Sequence, residues 1–220
     1  KIMETDNEWI VTRTGISSRN YSKDKSNHYM ATEASKAALE NSGVSAEDID
    51  LVIASSCTTE YFYPNLASLI QGGIGAVNAA VVEVNTACTG FISAVDIASR
   101  YLQDDDYKTV LVVASERLAP HVDFEDRASC ILFGDGAAAA VISKSDTLYS
   151  SYLGSDGSIA NVLFARSVNT NEKFAVESDF NDGFEGNNMH AIYQNGKEVY
   201  KFAVKALPHA FEKSAEKIGI

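Results

Sequence analysis

At 220 residues, with 45% hydrophobic and 22% charged side chains, the chain has material for one medium domain or two halves and is too apolar for a disordered segment. Its formal net charge of −12 argues against a general nucleic-acid binder, which needs clustered cations, and reads first as a solubility feature. Apolar runs are interrupted early, as by Glu83 inside Ala79 to Val84, well short of the roughly 20 residues a membrane span requires. The opening Lys1-Ile-Met-Glu-Thr-Asp has no apolar stretch like that of a signal peptide and does not begin with Met, so the expectation is a cytoplasmic chain starting inside a longer product. Three cysteines, Cys57, Cys88 and Cys130, with no short-spaced pair, make neither a disulfide framework nor a metal site, and no metal is expected.

Taken in order, residues 26–42 read as a helix, with Met30, Ala34, Ala37, Ala38 and Asn41 at helical spacing and Gly43 as its stop. Ser45-Ala-Glu-Asp resembles a capping sequence opening a short turn. The run from Leu51 to Ser56 reads as a strand buried on both faces. Residues 65–74 fit a short helix, and Ala79 to Asn85 a second buried strand. Gly90 to Gln103 reads as an amphipathic helix with Phe91, Val95, Ala98 and Leu102 on its stripe, followed by an acidic turn at Asp104 to Asp106. A third buried strand begins at Thr109.

Ala137 to Ser143 and Tyr149 to Leu153 are expected to pair as an antiparallel hairpin. Residues 154–190, rich in Gly, Asn, Ser and Asp and without a period, read as a long covering segment. Glu198 to Ile218 reads as a helix with Phe202, Ala206, Ala210, Phe211 and Ile218 inward, kinked or split at Pro208. Alternating strands and helices predict an α/β fold whose largely parallel sheet is covered on both sides, with a first half over 1–145 and the start of a second over 146–220.

The stretch Val81-Val-Glu-Val-Asn-Thr-Ala-Cys-Thr-Gly-Phe carries the chemistry. A strand ends, two small residues turn the chain, and Cys88 stands just before a helix. Unsatisfied N–H groups and a partial positive charge of roughly half a unit at the helix start favour thiolate over thiol. They can also polarise a carbonyl above the sulfur, and Gly90 lets backbone come close. On position alone, a small packed core cysteine and a nucleophile both remain open. Cys57 follows a strand with no glycine-opened helix behind it, and Cys130, in Ala-Ser-Cys-Ile-Leu-Phe, is expected to pack.

Ala87-Cys88-Thr89-Gly90-Phe91 resembles the nucleophile motif of the β-ketoacyl-ACP synthase III family of thiolase-fold condensing enzymes. Asp6-Asn-Glu-Trp-Ile-Val-Thr-Arg-Thr-Gly-Ile is similar to that family's N-terminal signature. Phe133-Gly-Asp-Gly-Ala-Ala-Ala-Ala-Val, Ser155-Asp-Gly-Ser and Asn195-Gly-Lys-Glu-Val-Tyr-Lys-Phe-Ala-Val continue the likeness in family order. The resemblance implies a thiolase-like fold of mostly parallel or mixed sheets, its first half nearly complete and its second only begun. It also implies acyl transfer from acyl-CoA to Cys88, then condensation with a malonyl-loaded acyl carrier protein and loss of carbon dioxide.

By the same resemblance the Cys88 N–H is one oxyanion donor. Trp9 and Arg13 hold the CoA adenine and phosphates. Arg127 is a second CoA-side arginine, with a salt bridge to Asp123 or Asp126 as its ordinary alternative. Tyr63 falls where the family sends an aromatic across a homodimer interface to bound the acyl pocket, against ordinary dimer packing. No cofactor is implied beyond the CoA thioester as substrate.

The family's catalytic histidine lies in a His-Gln-Ala-Asn context with an asparagine further on, and His28, His121, His190 and His209 all lack that context. The chain is therefore expected to be truncated at both ends, with the histidine and asparagine outside it and no condensing activity by itself. Two other readings stay open: an O- or N-acyltransferase of a specialised pathway, and a non-catalytic dimer partner. Acyl-chain preference and pathway are not legible.

Overall fold

Leu51–Ser55 (β1) is buried along its whole length, and the reason is its place in a four-stranded sheet. The computed structural model describes residues 4–165 and 191–220. The strand order is β2-β1-β3-β4, with Ala80–Val84 (β2), Thr109–Arg117 (β3) and Asp135–Ser143 (β4). β1 runs parallel to β2 and to β3, with Val52 opposite Val81 on one side and Leu111 on the other. β4 closes one edge antiparallel to β3, from Thr109 opposite Ser143 to Arg117 opposite Asp135.

Side chains alternate across a strand, so a sheet covered on both faces needs apolar residues at every position. On one face Val52, Ala54, Leu111 and Val113 pack with Ala31, Ala38 and Leu39 of Asn27–Ser42 (α2) and Leu66, Ala67 and Ile70 of Leu66–Ile74 (α3). On the other, Leu51, Ile53, Val110 and Val112 pack with Ala94, Ala98 and Leu102 in and just after Gly90–Tyr101 (α4). Local chemistry sets the helix ends. Ser26 accepts from the Tyr29 N–H and Asn65 from the Ser68 N–H, each cap contributing about 1 kcal/mol. Gly43, at φ 69°, takes the left-handed turn that stops α2.

Contacts divide the chain into two units that interleave in sequence: Asn20–Leu118 with Gly134–Leu148, which holds the sheet, and Lys1–Arg19, Ala119–Phe133 and Tyr149–Ile220. The second unit carries Asn7–Thr14 (α1), the short Arg127–Cys130 (α5), the pair Leu163–Phe164 (β5) and Tyr193–Gln194 (β6), and Gly196–Lys217 (α6). Its core groups Val122, Cys130 and Ile131 with Trp9, Ile10, Leu132 and Phe133, so Cys130 packs as expected.

Four expectations need correction. The hairpin does not form: β4 pairs with β3, which offers nine matched residues of backbone, while residues 149–153 form no strand and Tyr149 and Leu153 are exposed. α6 is not split at Pro208; the N–H that proline lacks would have bonded the carbonyl of half-exposed Val204, which lies beside solvent. The face of α6 read as inward is not buried, and Phe211 is 75% exposed. The buried face of α2 is rotated from the predicted one, to Asn27, Ala31, Ser35, Ala38 and Leu39, leaving Ala37 exposed, while in α4 Val95, Ala98 and Leu102 pack inward as predicted and only Phe91 is exposed. The covering segment is described only to residue 165, as a 3-10 stretch Gly157–Val162 leading into β5; its remainder, 166–190, lies outside the described residues.

Candidate active site around Cys88

Cys88 sits in the 3-10 turn Ala87–Thr89, between β2 and α4, and it is exposed. The turn is tight enough to put Ala87 at φ 46°, a left-handed conformation that costs an L-residue roughly 1 kcal/mol or more. Hydrogen bonds hold it there. The Thr89 hydroxyl donates to the Thr86 carbonyl at 2.8 Å, and the Thr86 hydroxyl to Ser93 Oγ at 2.9 Å. A Cβ on Gly90 would overlap the Ser55 hydroxyl and come within 2.9 Å of the Ser55 Cβ, so only glycine lets α4 start this close to β1. No side chain caps the N-terminus of α4, and of its first N–H groups that of Gly90 is bonded to the Ala87 carbonyl.

Cys57 lies at the end of β1, exposed as well. Its N–H donates to Glu116 Oε1 at 2.9 Å, and the hydroxyls of Ser56 and Thr58 also donate to Glu116. Desolvation first, and then the Glu116 carboxylate, push the Cys57 thiol up to about 12. Burial pushes Cys130 up too. Beneath the Cys57 loop, fully buried Asn27 donates from Nδ2 to Ser56 Oγ at 2.9 Å, to the Thr58 carbonyl at 3.2 Å and to the Ser115 carbonyl at 3.2 Å. That network pins the ends of β1 and β3 to the start of α2.

In the other unit, Asp6 caps α1 by accepting from the Trp9 N–H at 2.7 Å, and Gly15, at φ 72°, ends the helix. The Arg13 guanidinium lies over the Trp9 ring at 4.3 Å and that of Arg127 at 4.5 Å. Arg127 also donates to the Glu4 carbonyl at 2.9 Å. Asp126 is instead engaged in capping α5, accepting from the Ala128 N–H and the Ser129 hydroxyl. Two cations beside a flat indole can hold a phosphorylated purine. Tyr63 is 86% exposed beside Phe62 at 88%, in the loop before α3.

The family model for 3-oxoacyl-[acyl-carrier-protein (ACP)] synthase III matches residues 82–157, which begin in β2 and include Cys88. The β-ketoacyl-[acyl-carrier-protein] synthase III of Clostridium perfringens is 38% identical over 223 residues, covering 100% of this chain and 67% of the relative. This chain belongs to the β-ketoacyl-ACP synthase III family. It spans 66% of some other relatives of that name and 62% of another. Among solved structures, 3-oxoacyl-[acyl-carrier-protein] synthase III from Aquifex aeolicus superposes with a TM-score of 0.86 at 34% identity, over 100% of this chain and 65% of that one. The priming β-ketosynthase from the R1128 polyketide biosynthetic pathway gives 0.81 at 34% identity, over 95% of this chain and 61% of that one.

With the family and its thiolase fold in hand, the residues picked from sequence sort by unit. Cys88 and Tyr63 lie in the sheet unit, while Trp9, Arg13 and Arg127 form one cluster in the other. Sequence reasoning missed Glu116 and Asn27, which build the loop around Cys57. The only signal for Glu116 was a charge closing an otherwise apolar strand at Ser115-Glu116. For Asn27, a polar residue at the start of a helix gives no apolar-periodicity signal.

Proposed function

We propose that the protein starts fatty-acid synthesis, or a related polyketide pathway, by moving an acyl group from acyl-CoA onto Cys88 and condensing it with a malonyl-loaded acyl carrier protein. The observation that carries this is the exposed thiol at a braced strand-to-helix turn, beside an α4 N-terminus that no side chain caps. The thiolate attacks the thioester carbonyl, and the CoA thiolate leaves. The helix N–H groups, with that of Cys88 among them, face the oxygen on which charge develops. Trp9 stacks on the adenine, and Arg13 and Arg127 pair with the phosphates. The CoA thioester is a substrate, and no further cofactor enters.

Tyr63, exposed in its loop, is assigned to the interface of a cytoplasmic homodimer, where it bounds the acyl pocket of the partner. The chain of 220 residues, which lacks the His-Gln-Ala-Asn context, is assigned the acylation half-reaction. The test is incubation with acetyl-CoA followed by peptide mapping. The expected label is on Cys88, with Cys57 and Cys130 clean, and a label on either of the others with Cys88 clean overturns the reading. Trp9→Ala and Arg13→Ala should each raise KM for acyl-CoA about tenfold with little change in kcat, as loss of uniform binding predicts.

A further inference from the structure

Two of the three thiols are exposed, and the strand register brings them to the same, C-terminal end of the parallel strands β1 and β2. Ser55 stands opposite Val84, the Ser56 N–H donates to the Val84 carbonyl at 3.3 Å, and Gly90 lies against the Ser55 side chain. Cys57 follows Ser55 by two residues and Cys88 precedes Gly90 by two, so chain on both sides of Cys88 is in contact with the segment that leads into Cys57. We propose that Cys57 and Cys88 form a reversible oxidation site, in which a peroxide-class oxidant joins the two sulfurs in a disulfide. This rests on Cys88 being the reactive thiol, and otherwise goes beyond acyl transfer, which uses Cys57 for nothing.

The chemistry balances with hydrogen peroxide as the oxidant. The Cys88 thiolate attacks one peroxide oxygen and the O–O bond breaks. Cys88 becomes a sulfenic acid, and the hydroxide released takes a proton to become water. The Cys57 sulfur then attacks the Cys88 sulfur. An S–S bond forms, the S–O bond breaks, and the second oxygen leaves as water with the proton that Cys57 gives up. Two thiols and one peroxide yield one disulfide and two waters. Glu116, hydrogen-bonded to the Cys57 thiol, is placed to accept that proton in transit. Desolvation first, and then the Glu116 carboxylate, keep Cys57 a neutral thiol. The oxidant thus meets Cys88 first, and Cys57 acts only as the resolving partner. Closing the disulfide removes the sulfenic acid before a second peroxide can convert it to sulfinic acid, which thiols do not reverse.

The test treats the protein with hydrogen peroxide, alkylates the remaining thiols with N-ethylmaleimide and maps the peptides. The expected product is a linked Cys57–Cys88 peptide that dithiothreitol separates, with Cys130 still alkylated. In Cys57→Ser, recovery of the Cys88 thiol by dithiothreitol should fall at least about tenfold as sulfinic acid accumulates. Cys88 as sulfinic acid beside a fully alkylated Cys57 in the unaltered protein overturns the proposal, whatever the variant does. Alkylation of the reduced protein by iodoacetamide separates the two readings. Slow labelling of Cys88 counts against the nucleophile assignment, whereas fast labelling of Cys88 without any linked peptide sinks the oxidation site alone.

Discussion

β1 and β2 are parallel neighbours that each deliver a cysteine beyond their C-terminal ends, yet the two thiols meet opposite surroundings. After β1 the chain enters a loop held by a carboxylate, and Cys57 is pushed up to about 12. After β2 it makes one strained turn into a helix whose first N–H groups have no side-chain cap. A strand end supplies exposure, and the next element supplies the electrostatics: an anion beside Cys57, the positive end of a helix beside Cys88. The sharpest way to break the comparison is to remove one sulfur at a time. Cys88→Ala should lower self-acylation from acetyl-CoA on the order of 10³-fold or more, as loss of a nucleophile does elsewhere. Cys57 should not take over. Acylation of Cys57 in that variant, read by intact mass and peptide mapping, would show the two sites to be interchangeable.

The turn can be attacked through its packing rather than its sulfur. Gly90→Ala drives a methyl into Ser55, and overpacking of this kind costs about 1–3 kcal/mol. Ser55→Gly should cost less, and adding it to Gly90→Ala should recover much of the loss, because the two residues share one contact. Urea midpoints for the four proteins of this cycle measure the coupling. Additive effects would mean that Ser55 does not set the approach of α4.

How much of this was readable beforehand follows from what each residue touches. β1 and β3 were legible because a strand covered on both faces must be apolar throughout, and Leu51 to Ala54 and Val110 to Val113 are all buried. The strand-to-helix turn at Cys88 was legible for a related reason: strand, small turn residues, cysteine and glycine are local in sequence. The buried face of α2 was not, because it contains Asn27, Thr32 and Ser35. Ser35 returns its hydroxyl to the Ala31 carbonyl at 2.7 Å, and Asn27 satisfies itself on residues 29 to 88 positions away, so no count of apolar positions finds that face. α6 fails the opposite way. Its periodicity is genuine, yet none of its residues is buried, because an apolar stripe specifies burial only where another surface covers it. α1 escaped notice for want of length, although Asp6 and Gly15 bracket it with a capping residue and a left-handed stop.

The effect expected to be smallest isolates the electrostatic half of the comparison. Glu116→Gln keeps an oxygen to accept the Cys57 N–H but removes the negative charge beside the thiol. Of the causes that raise Cys57, desolvation is the largest and survives the change, while the attraction of the proton to Glu116 and their hydrogen bond weaken. The thiol should therefore move only part of the way from about 12 back toward 9.0. Each unit of that return raises the thiolate fraction about tenfold and lowers its nucleophilicity roughly threefold, so iodoacetamide should label Cys57 about threefold faster per unit at fixed pH. The sign for stability follows from the same shift. Below pH 9.0 Cys57 is protonated whether folded or unfolded and changes nothing; between 9.0 and about 12 only the unfolded chain releases the proton, so folding weakens as pH rises through that window. Glu116→Gln should shorten the window from its upper end, flattening the alkaline loss of the urea midpoint relative to the unaltered protein. Labelling of Cys57 no faster in the variant would mean that desolvation alone holds its proton. The difference between the two strand ends would then lie in solvent access, with the carboxylate a bystander.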